Sequence, residues 1–220
     1  MYHYVEDKIF LKRAQNCCSE LMRELEDELR KREINSQFFL VGSGARNMVT
    51  QNGREAIDFD YNLNIISCED FHDCKNIKHE VIMAFNRVMS KNNLDNVDDS
   101  TSSITTKKIH FRDTPKIEFS MDVCIVTLES DKQWLRLIHE KGRNSYYDRY
   151  YWNIAPNSKN YAKKADAIKS VPGWWLKVRE QYLKIKNNYL SQNDHNHPSF
   201  VCYVEAVHNV YNQMKSKKLL

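Results

Sequence analysis

The sequence lacks a long apolar run and a marked excess of either charge. No uninterrupted apolar stretch approaches the roughly 18 residues that a membrane-spanning helix needs, so we expect no insertion into a membrane. Lys and Arg together number 33 and Asp and Glu 29, a balance that excludes a histone-like binder and an acidic tail protein. Disorder is not expected either, because 41% of the residues are hydrophobic. The 220 residues leave room for one or two domains with a substantial core.

The cysteines and the first residues lack the patterns of a secreted protein. None of the six cysteines stands in a C-x-x-C motif. Residues 1–7 contain neither the basic region nor the apolar region of a signal peptide. We therefore expect reduced thiols and a cytoplasmic location.

The spacing of apolar residues divides the chain into a mixed part and a helical part. It predicts helices over residues 4–34 and 71–89. It predicts strands over residues 37–41, 57–66, 104–111 and 116–127. Beyond about residue 130 it predicts helices over residues 158–170, 173–189 and 198–215. We therefore expect an α+β fold, with a mixed β-sheet and flanking helices in residues 1–130 and a helical C-terminal module in residues 131–220.

Three aspartates lie within predicted strands. Asp58 and Asp60 share one face of the strand over 57–66, because successive side chains of a strand point to opposite faces. Two neighbouring carboxylates repel each other unless a cation lies between them. Asp122 lies in the otherwise apolar strand over 116–127, where a charge needs a reason. Three carboxylates on neighbouring strands suit a pair of Mg²⁺ ions in phosphoryl transfer, whereas each aspartate alone also fits the wet face of a sheet.

A glycine-containing turn precedes this acidic strand. The strand over residues 37–41 leads into Gly42-Ser43-Gly44, and such a turn before a helix offers backbone N–H groups to a phosphate. Together with the aspartates, it resembles the DNA polymerase β-like nucleotidyltransferase superfamily over about residues 37–127. The residues that carry the resemblance are Phe38–Val41, Gly42, Ser43, Asp58, Asp60 and Asp122.

The resemblance implies a nucleotidyltransferase-type sheet and a role for each motif residue. It implies that Gly42 and Ser43 hold the triphosphate of an NTP and that Asp58 and Asp60 bind two Mg²⁺ ions, with Mn²⁺ as an alternative. It implies that Asp122 completes one metal site and acts on the attacking hydroxyl. The implied reaction moves a nucleoside monophosphate from the NTP to an acceptor hydroxyl and releases pyrophosphate.

The turn also resembles the opening of the small bacterial members of the superfamily. The sequence Gly42-Ser-Gly-Ala-Arg46 is similar to their G-S-x-A-R-G, which makes Arg46 a candidate phosphate ligand. Asn47 stands where a glycine is usual. A surface cation on a short helix is the alternative role for Arg46.

The sequence leaves the acceptor open. Residues 141–190 contain 11 Lys and Arg against three acidic residues, together with 10 of the 25 aromatic residues, which favours RNA or another polyanion. The rings of residues 146–152 suit either stacking on bases or packing of the helical module. A small hydroxylated molecule, as in antibiotic modification, a protein, or a second nucleotide in oligonucleotide or cyclic dinucleotide synthesis also fits. A non-catalytic nucleotide- or RNA-binding module with the same fold is a further alternative, less favoured because all three carboxylates are present.

Overall fold

The computed structural model describes residues 1–129, 133–155, 159–194 and 197–220. Its helices, in chain order, are α1 (Lys8–Arg30), α2 (Gly42–Ala45), α3 (Cys74–Lys91), α4 (Lys159–Lys169), α5 (Trp174–Ser191) and α6 (Ser199–Ser216). Its strands are β1 (Tyr2–Tyr4), β2 (Asn35–Leu40), β3 (Thr50–Asn52), β4 (Ile57–Ser67), β5 (Asp98–Asp99), β6 (Ile104–Thr105), β7 (Ile109–Phe111), β8 (Thr114–Leu128), β9 (Trp134–Glu140) and β10 (Arg149–Ile154). The α+β prediction is confirmed.

The chain divides into two compact units. The sheet unit comprises Val5–Val49 and Arg54–Ala155, and the helical unit comprises Met1–Tyr4, Thr50–Gly53 and Pro156–Leu220. The predicted division lay near residue 130, but β9 and β10 follow that residue and belong to the sheet unit. That the two parts are separate domains stays a prediction.

The sheet unit is built on a mixed sheet with the strand order β10-β9-β8-β4-β2. Strands β4 and β8 are parallel and lie at its centre, while the other neighbours along this path pair antiparallel. The short strands β6 and β7 pair with the first part of β8. The two central strands therefore carry all three aspartates singled out by the sequence.

Strand β4 separates an apolar core from a polar face. Its alternate residues Ile57, Phe59, Tyr61, Leu63 and Ile65 are buried, and they belong to the same core as the buried residues of α1 and α3. The intervening residues are polar up to position 64 and are partly or fully exposed. The alternation in the sequence is thus the alternation of the strand across the sheet.

The first helix is shorter than the spacing predicted. Asp7 is its N-cap, and the Asp7 carboxylate accepts a hydrogen bond of 2.9 Å from the Phe10 backbone N–H. The preceding residues Tyr2–Tyr4 form β1, which pairs with β3. The predicted helix over residues 4–34 was therefore wrong at its start, because the spacing of apolar residues does not reveal where a helix is capped.

The helical unit contains the three helices predicted near the C-terminus. They are observed at Lys159–Lys169, Trp174–Ser191 and Ser199–Ser216, within two residues of the predicted bounds. The two-stranded sheet of β1 and β3 belongs to this unit as well. No described helix in either unit is long and apolar enough to cross a membrane.

Candidate active site

Strand register brings the three aspartates to one face of the sheet. Asp60 on β4 pairs with Asp122 on β8, and Asp58 pairs with Ser120. Neighbouring strands lie about 4.8 Å apart, and residues two apart in a strand share a face. Asp58, Asp60, Ser120 and Asp122 thus form a polar cluster on two adjacent strands.

Each of the three carboxylates accepts a hydrogen bond from a different group. The Ser120 hydroxyl donates to Asp58 Oδ1. The Thr105 hydroxyl, on β6 directly opposite Asp122, donates to Asp122 Oδ1 over 2.5 Å. The Ser43 backbone N–H donates to the Asp60 carboxylate. These donors fix the orientation of the acidic side chains.

Burial and mutual repulsion raise the proton affinity of two of the carboxylates. Burial, and then the charges of Asp122 and Asp58, raise the pKa of Asp60 to about 6, against the opposing charge of Arg46. Burial, together with the charge of Asp58, raises the pKa of Asp122, against the Thr105 hydrogen bond. The ionised cluster is therefore electrostatically unfavourable by itself.

A divalent cation fits this cluster by its chemistry. Carboxylate oxygens are the ligands that Mg²⁺ prefers, and a cation would stabilise the ionised carboxylates against the burial and repulsion that raise the two pKa values. Within the described ranges, no three Asp, Glu, His or Cys side chains already converge as a ligand set. By donor type, charge and strand register, Asp58, Asp60 and Asp122 are nevertheless the residues that could hold a metal.

The turn after β2 packs directly against Asp60. The Val41 N–H donates to the Asp60 carbonyl oxygen over 2.8 Å. Gly42 has φ +62°, and a Cβ atom there would lie 1.9 Å from Asp60 Oδ2. Only glycine meets both constraints, because L-residues disfavour this conformation and any side chain would collide with the carboxylate.

Arg46 and Asn47 complete the turn. Arg46 Nη1 donates to the Gly42 carbonyl oxygen over 2.6 Å, so this guanidinium braces the turn. Asn47 has φ +54°. Asparagine tolerates this left-handed conformation better than most residues, which explains how it occupies a position where a glycine is usual. The assignment of Gly42, Ser43 and Arg46 to phosphate stays a prediction.

Sequence reasoning missed the two hydroxyl donors of the site. Ser120 lies two residues before Asp122 on the same face of β8, a spacing that contains the signal. Thr105 carries no such signal, because its place opposite Asp122 depends on the register between β6 and β8. The register between two distant strands cannot be predicted from the sequence of either strand alone.

The aromatic cluster over residues 146–152 divides into packed and exposed rings. Trp152 Nε1 donates to the Phe71 carbonyl oxygen over 2.7 Å, and Tyr150 stacks on His139 with ring centroids 4.1 Å apart. Tyr146 and Tyr147, in the 3₁₀ turn between β9 and β10, are 87% and 61% exposed. Packing thus accounts for the rings of Tyr150 and Trp152.

Comparison with known proteins places the fold. No protein-family model and no curated protein sequence matches the chain. Among solved structures, CdnC of E. coli MS115-1 with ATP matches at 14% identity and a TM-score of 0.56, over 92% of this chain and 61% of that one. The CD-NTase CdnG of Bradyrhizobium diazoefficiens in complex with GTP matches at 15% identity and a TM-score of 0.57, over 90% of this chain and 65% of that one.

A third structure, also bound to nucleotides, matches over more of its own length. It is the cyclic dinucleotide synthase CdnE of Elizabethkingia meningoseptica with GTP and Apcpp, at 14% identity and a TM-score of 0.50, over 92% of this chain and 78% of that one. The chain spans less than two thirds of the CdnC and CdnG chains. These likenesses confirm the polymerase β-like nucleotidyltransferase fold that the motifs predicted.

Proposed function

We propose that this protein is a metal-dependent nucleotidyltransferase, which moves a nucleoside monophosphate from an NTP to an acceptor hydroxyl. The observation that carries the proposal is the pairing of Asp60 with Asp122 on adjacent parallel strands, with Asp58 two residues away and the Gly42 turn against Asp60. A binding module has no need of three neighbouring carboxylates, two of which, Asp60 and Asp122, have a pKa raised by burial and then by the charges of their neighbours. The cluster therefore favours catalysis over binding alone.

Each motif residue has a role in this proposal. Gly42 and Ser43 hold the triphosphate, Asp58 and Asp60 hold the divalent cations, and Asp122 completes one cation site. Bound Mg²⁺ would neutralise charge on the phosphates and on the pyrophosphate that leaves.

The reaction itself exchanges a phosphoanhydride bond of the NTP for a phosphodiester bond. The acceptor oxygen forms a bond to the α-phosphorus while the bond from that phosphorus to the bridging oxygen breaks. Asp122 orients the acceptor hydroxyl and accepts its proton, and pyrophosphate is released.

We propose a second nucleoside triphosphate as the acceptor. Support comes from the likeness to CdnE, a cyclic dinucleotide synthase whose structure holds GTP together with Apcpp. The expected product is then a nucleotide dimer, linear or cyclic. An RNA end is the second candidate, favoured by the excess of basic over acidic residues in 141–190.

One product analysis tests the reaction and separates the two acceptors. The protein is incubated with α-³²P-labelled NTPs, singly and in pairs, with Mg²⁺ and with or without total cellular RNA. Without RNA we expect labelled dinucleotides together with unlabelled pyrophosphate, and no detectable product from the Asp122→Asn variant. Label confined to RNA would replace the nucleotide acceptor by RNA, and the absence of any label from every NTP would refute the enzyme.

A further inference from the structure

Two hydroxyl groups flank the acidic cluster, and each donates to a different aspartate. Ser120 donates to Asp58 from the paired position on β8, and Thr105 donates to Asp122 from the paired position on β6. Asp58 and Asp122 are each bound through Oδ1. The Oδ2 atom of each carboxylate is thereby oriented by a donor on the neighbouring strand.

Packing of the sheet does not explain a hydroxyl at position 120. The neighbouring residues Phe119 and Met121 point to the core and are fully buried, whereas Ser120 points to the polar face with the aspartates. Ser120 is only 7% exposed, and an unbonded hydroxyl buried in this way is costly. Its hydrogen bond to Asp58 satisfies it.

The same reasoning applies to Thr105, which differs from its neighbour on the chain. The Thr106 hydroxyl accepts a hydrogen bond of 2.9 Å from the Met121 backbone N–H, so it supports the pairing of two segments. The Thr105 hydroxyl, by contrast, contacts a carboxylate of the cluster. Thr106 thus accepts a hydrogen bond from the backbone, whereas Thr105 donates one to Asp122, a proposed cation ligand.

We propose that Ser120 and Thr105 are positioning residues, which hold Asp58 and Asp122 through Oδ1 so that Oδ2 of each is set to bind a divalent cation. The inference rests on the proposed function, since it takes the aspartates as cation ligands. Such donors fix the orientation of metal-binding side chains before the metal arrives, and their removal typically weakens metal affinity about 10- to 100-fold. Asp58 is exposed, so without Ser120 its side chain would sample many orientations.

Binding of Mn²⁺ alone, without nucleotide, tests the two donors. The bound fraction is read from the loss of the free-ion EPR signal as MnCl₂ is added to the full-length protein. We expect Ser120→Ala and Thr105→Val each to weaken Mn²⁺ binding about tenfold, the low end of that range. Thr105→Ser keeps a hydroxyl and should restore affinity to within about twofold of the wild type.

Thr127→Val is the matched control. Its hydroxyl also lies on β8 but donates to the Ile65 carbonyl oxygen over 3.1 Å, away from the cluster. This variant should bind Mn²⁺ as the wild type does. Melting temperatures without metal identify any variant that does not fold. Thr105→Ser and Ser120→Thr retain the hydroxyl donors, and their Mn²⁺ affinity is then compared with that of the donor-removing variant that folds.

The outcomes separate this inference from the proposed function. Unchanged Mn²⁺ affinity in Ser120→Ala and Thr105→Val, with clear binding by the wild type, would overturn the positioning role and leave the enzyme proposal intact. Equal weakening in Thr127→Val would overturn the positioning role as well. A wild-type protein that binds no Mn²⁺ would overturn the cation site and the inference with it.

Discussion

The sheet unit and the helical unit both carry many charges, but they use them differently. In the sheet unit, Asp58, Asp60 and Asp122 lie on one face of two central strands, where burial and then neighbouring carboxylate charges raise the pKa of Asp60 and Asp122. In the helical unit, cations lie over aromatic rings of the same unit, as Lys169 does over Trp175 at 4.7 Å and Lys186 over Tyr2 at 3.9 Å. Like charges held together are the pattern that a bound cation would stabilise, whereas the cations over rings already have partners within the chain.

The basic residues within 141–190 are therefore weaker support for an RNA acceptor than their number suggests. Several of its cations contact groups of the chain itself: Arg149 pairs with Glu140 at 2.7 Å, and Lys164 contacts His208 at 3.1 Å. A cation already engaged inside the chain gains less from a phosphate. Composition alone thus overstates the case for RNA, and the acidic cluster becomes the stronger guide to function.

The largest expected effect comes from neutralising the acidic cluster. Asp58→Asn, Asp60→Asn and Asp122→Asn should each lower nucleotidyl transfer about 10³-fold or more, because several kcal/mol of charge stabilisation depends on the metal ligands. Asp122→Asn should lower kcat much more than NTP affinity, since the other two aspartates still hold the nucleotide's cation. Steady-state kinetics on all three variants measure both effects. An Asp122→Asn variant that loses NTP binding but keeps its kcat would contradict the role of that residue.

The next effect concerns the glycine turn against Asp60. Gly42→Ala places a Cβ atom 1.9 Å from Asp60 Oδ2 and also strains the φ of +62°. We expect about a 10²-fold loss of activity, from displacement of Asp60, and a loss of about 2 kcal/mol of stability. Steady-state kinetics measure the loss of activity, and urea unfolding measures the loss of stability.

Gly53→Ala is the control for backbone strain alone. Gly53 has φ +57°, but a Cβ atom there would meet nothing within 4 Å. This variant should lose about 1 kcal/mol of stability and keep its activity. If both variants lost activity equally, displacement of Asp60 would not be the cause.

A smaller effect follows from the pKa of Asp60, which burial and the neighbouring carboxylates raise from its ordinary value of 3.8 to about 6 in the folded protein. Between pH 4 and pH 6 the folded state binds the proton more readily, so stability falls as the pH rises through this window and stays lower above it. Asp60→Asn should therefore be about 2 kcal/mol more stable than the wild type at pH 8 in EDTA, and about equal at pH 4. Urea unfolding at the two pH values gives the difference.

Asp95→Asn provides the comparison for charge removal at an exposed site. Asp95 lies in the loop after α3 and is exposed. Its replacement should leave stability within about 0.5 kcal/mol at both pH values. A gain at pH 8 equal to that of Asp60→Asn would assign the effect to net charge instead of the cluster.

The smallest effect is expected in the basic window. Replacement of Arg143, Arg149, Lys163 and Lys164 by Ala should change kcat/KM with NTPs as sole substrates less than about twofold, because these side chains do not take part in the proposed chemistry. The same variant tests the RNA alternative through salt dependence. Each lost phosphate contact would flatten the slope of log affinity against log salt by about 0.7 to 0.9.

The sequence predicted the acidic cluster better than its surroundings. Asp58 and Asp60 stand out because period-two alternation survives in a half-buried strand, and Asp122 because it interrupts an apolar one. Ser120 was missed although it shares a face with Asp122 two residues later, whereas Thr105 was missed because its place opposite Asp122 depends on register between strands. Register is set by tertiary packing, which no single segment contains.

Strands β9 and β10 were missed for a different reason. Their alternation is blurred, because the buried His139 stands where an apolar residue is expected and aromatic residues lie on both faces of β10. The cost of burying His139 is offset by carboxylates at both ring nitrogens, Asp99 at 2.7 Å and Asp148 at 3.0 Å. Those partners are distant in sequence from β9 or lie in the following turn.

The most direct test of the acidic cluster is the stoichiometry of the reaction. The wild-type protein is incubated with pairs of labelled NTPs and Mg²⁺, and pyrophosphate and phosphodiester product are measured in the same sample, with EDTA and Asp60→Asn as controls. We predict one pyrophosphate for each phosphodiester bond formed, and no product in either control. Transfer that persists in EDTA or in Asp60→Asn would contradict the account.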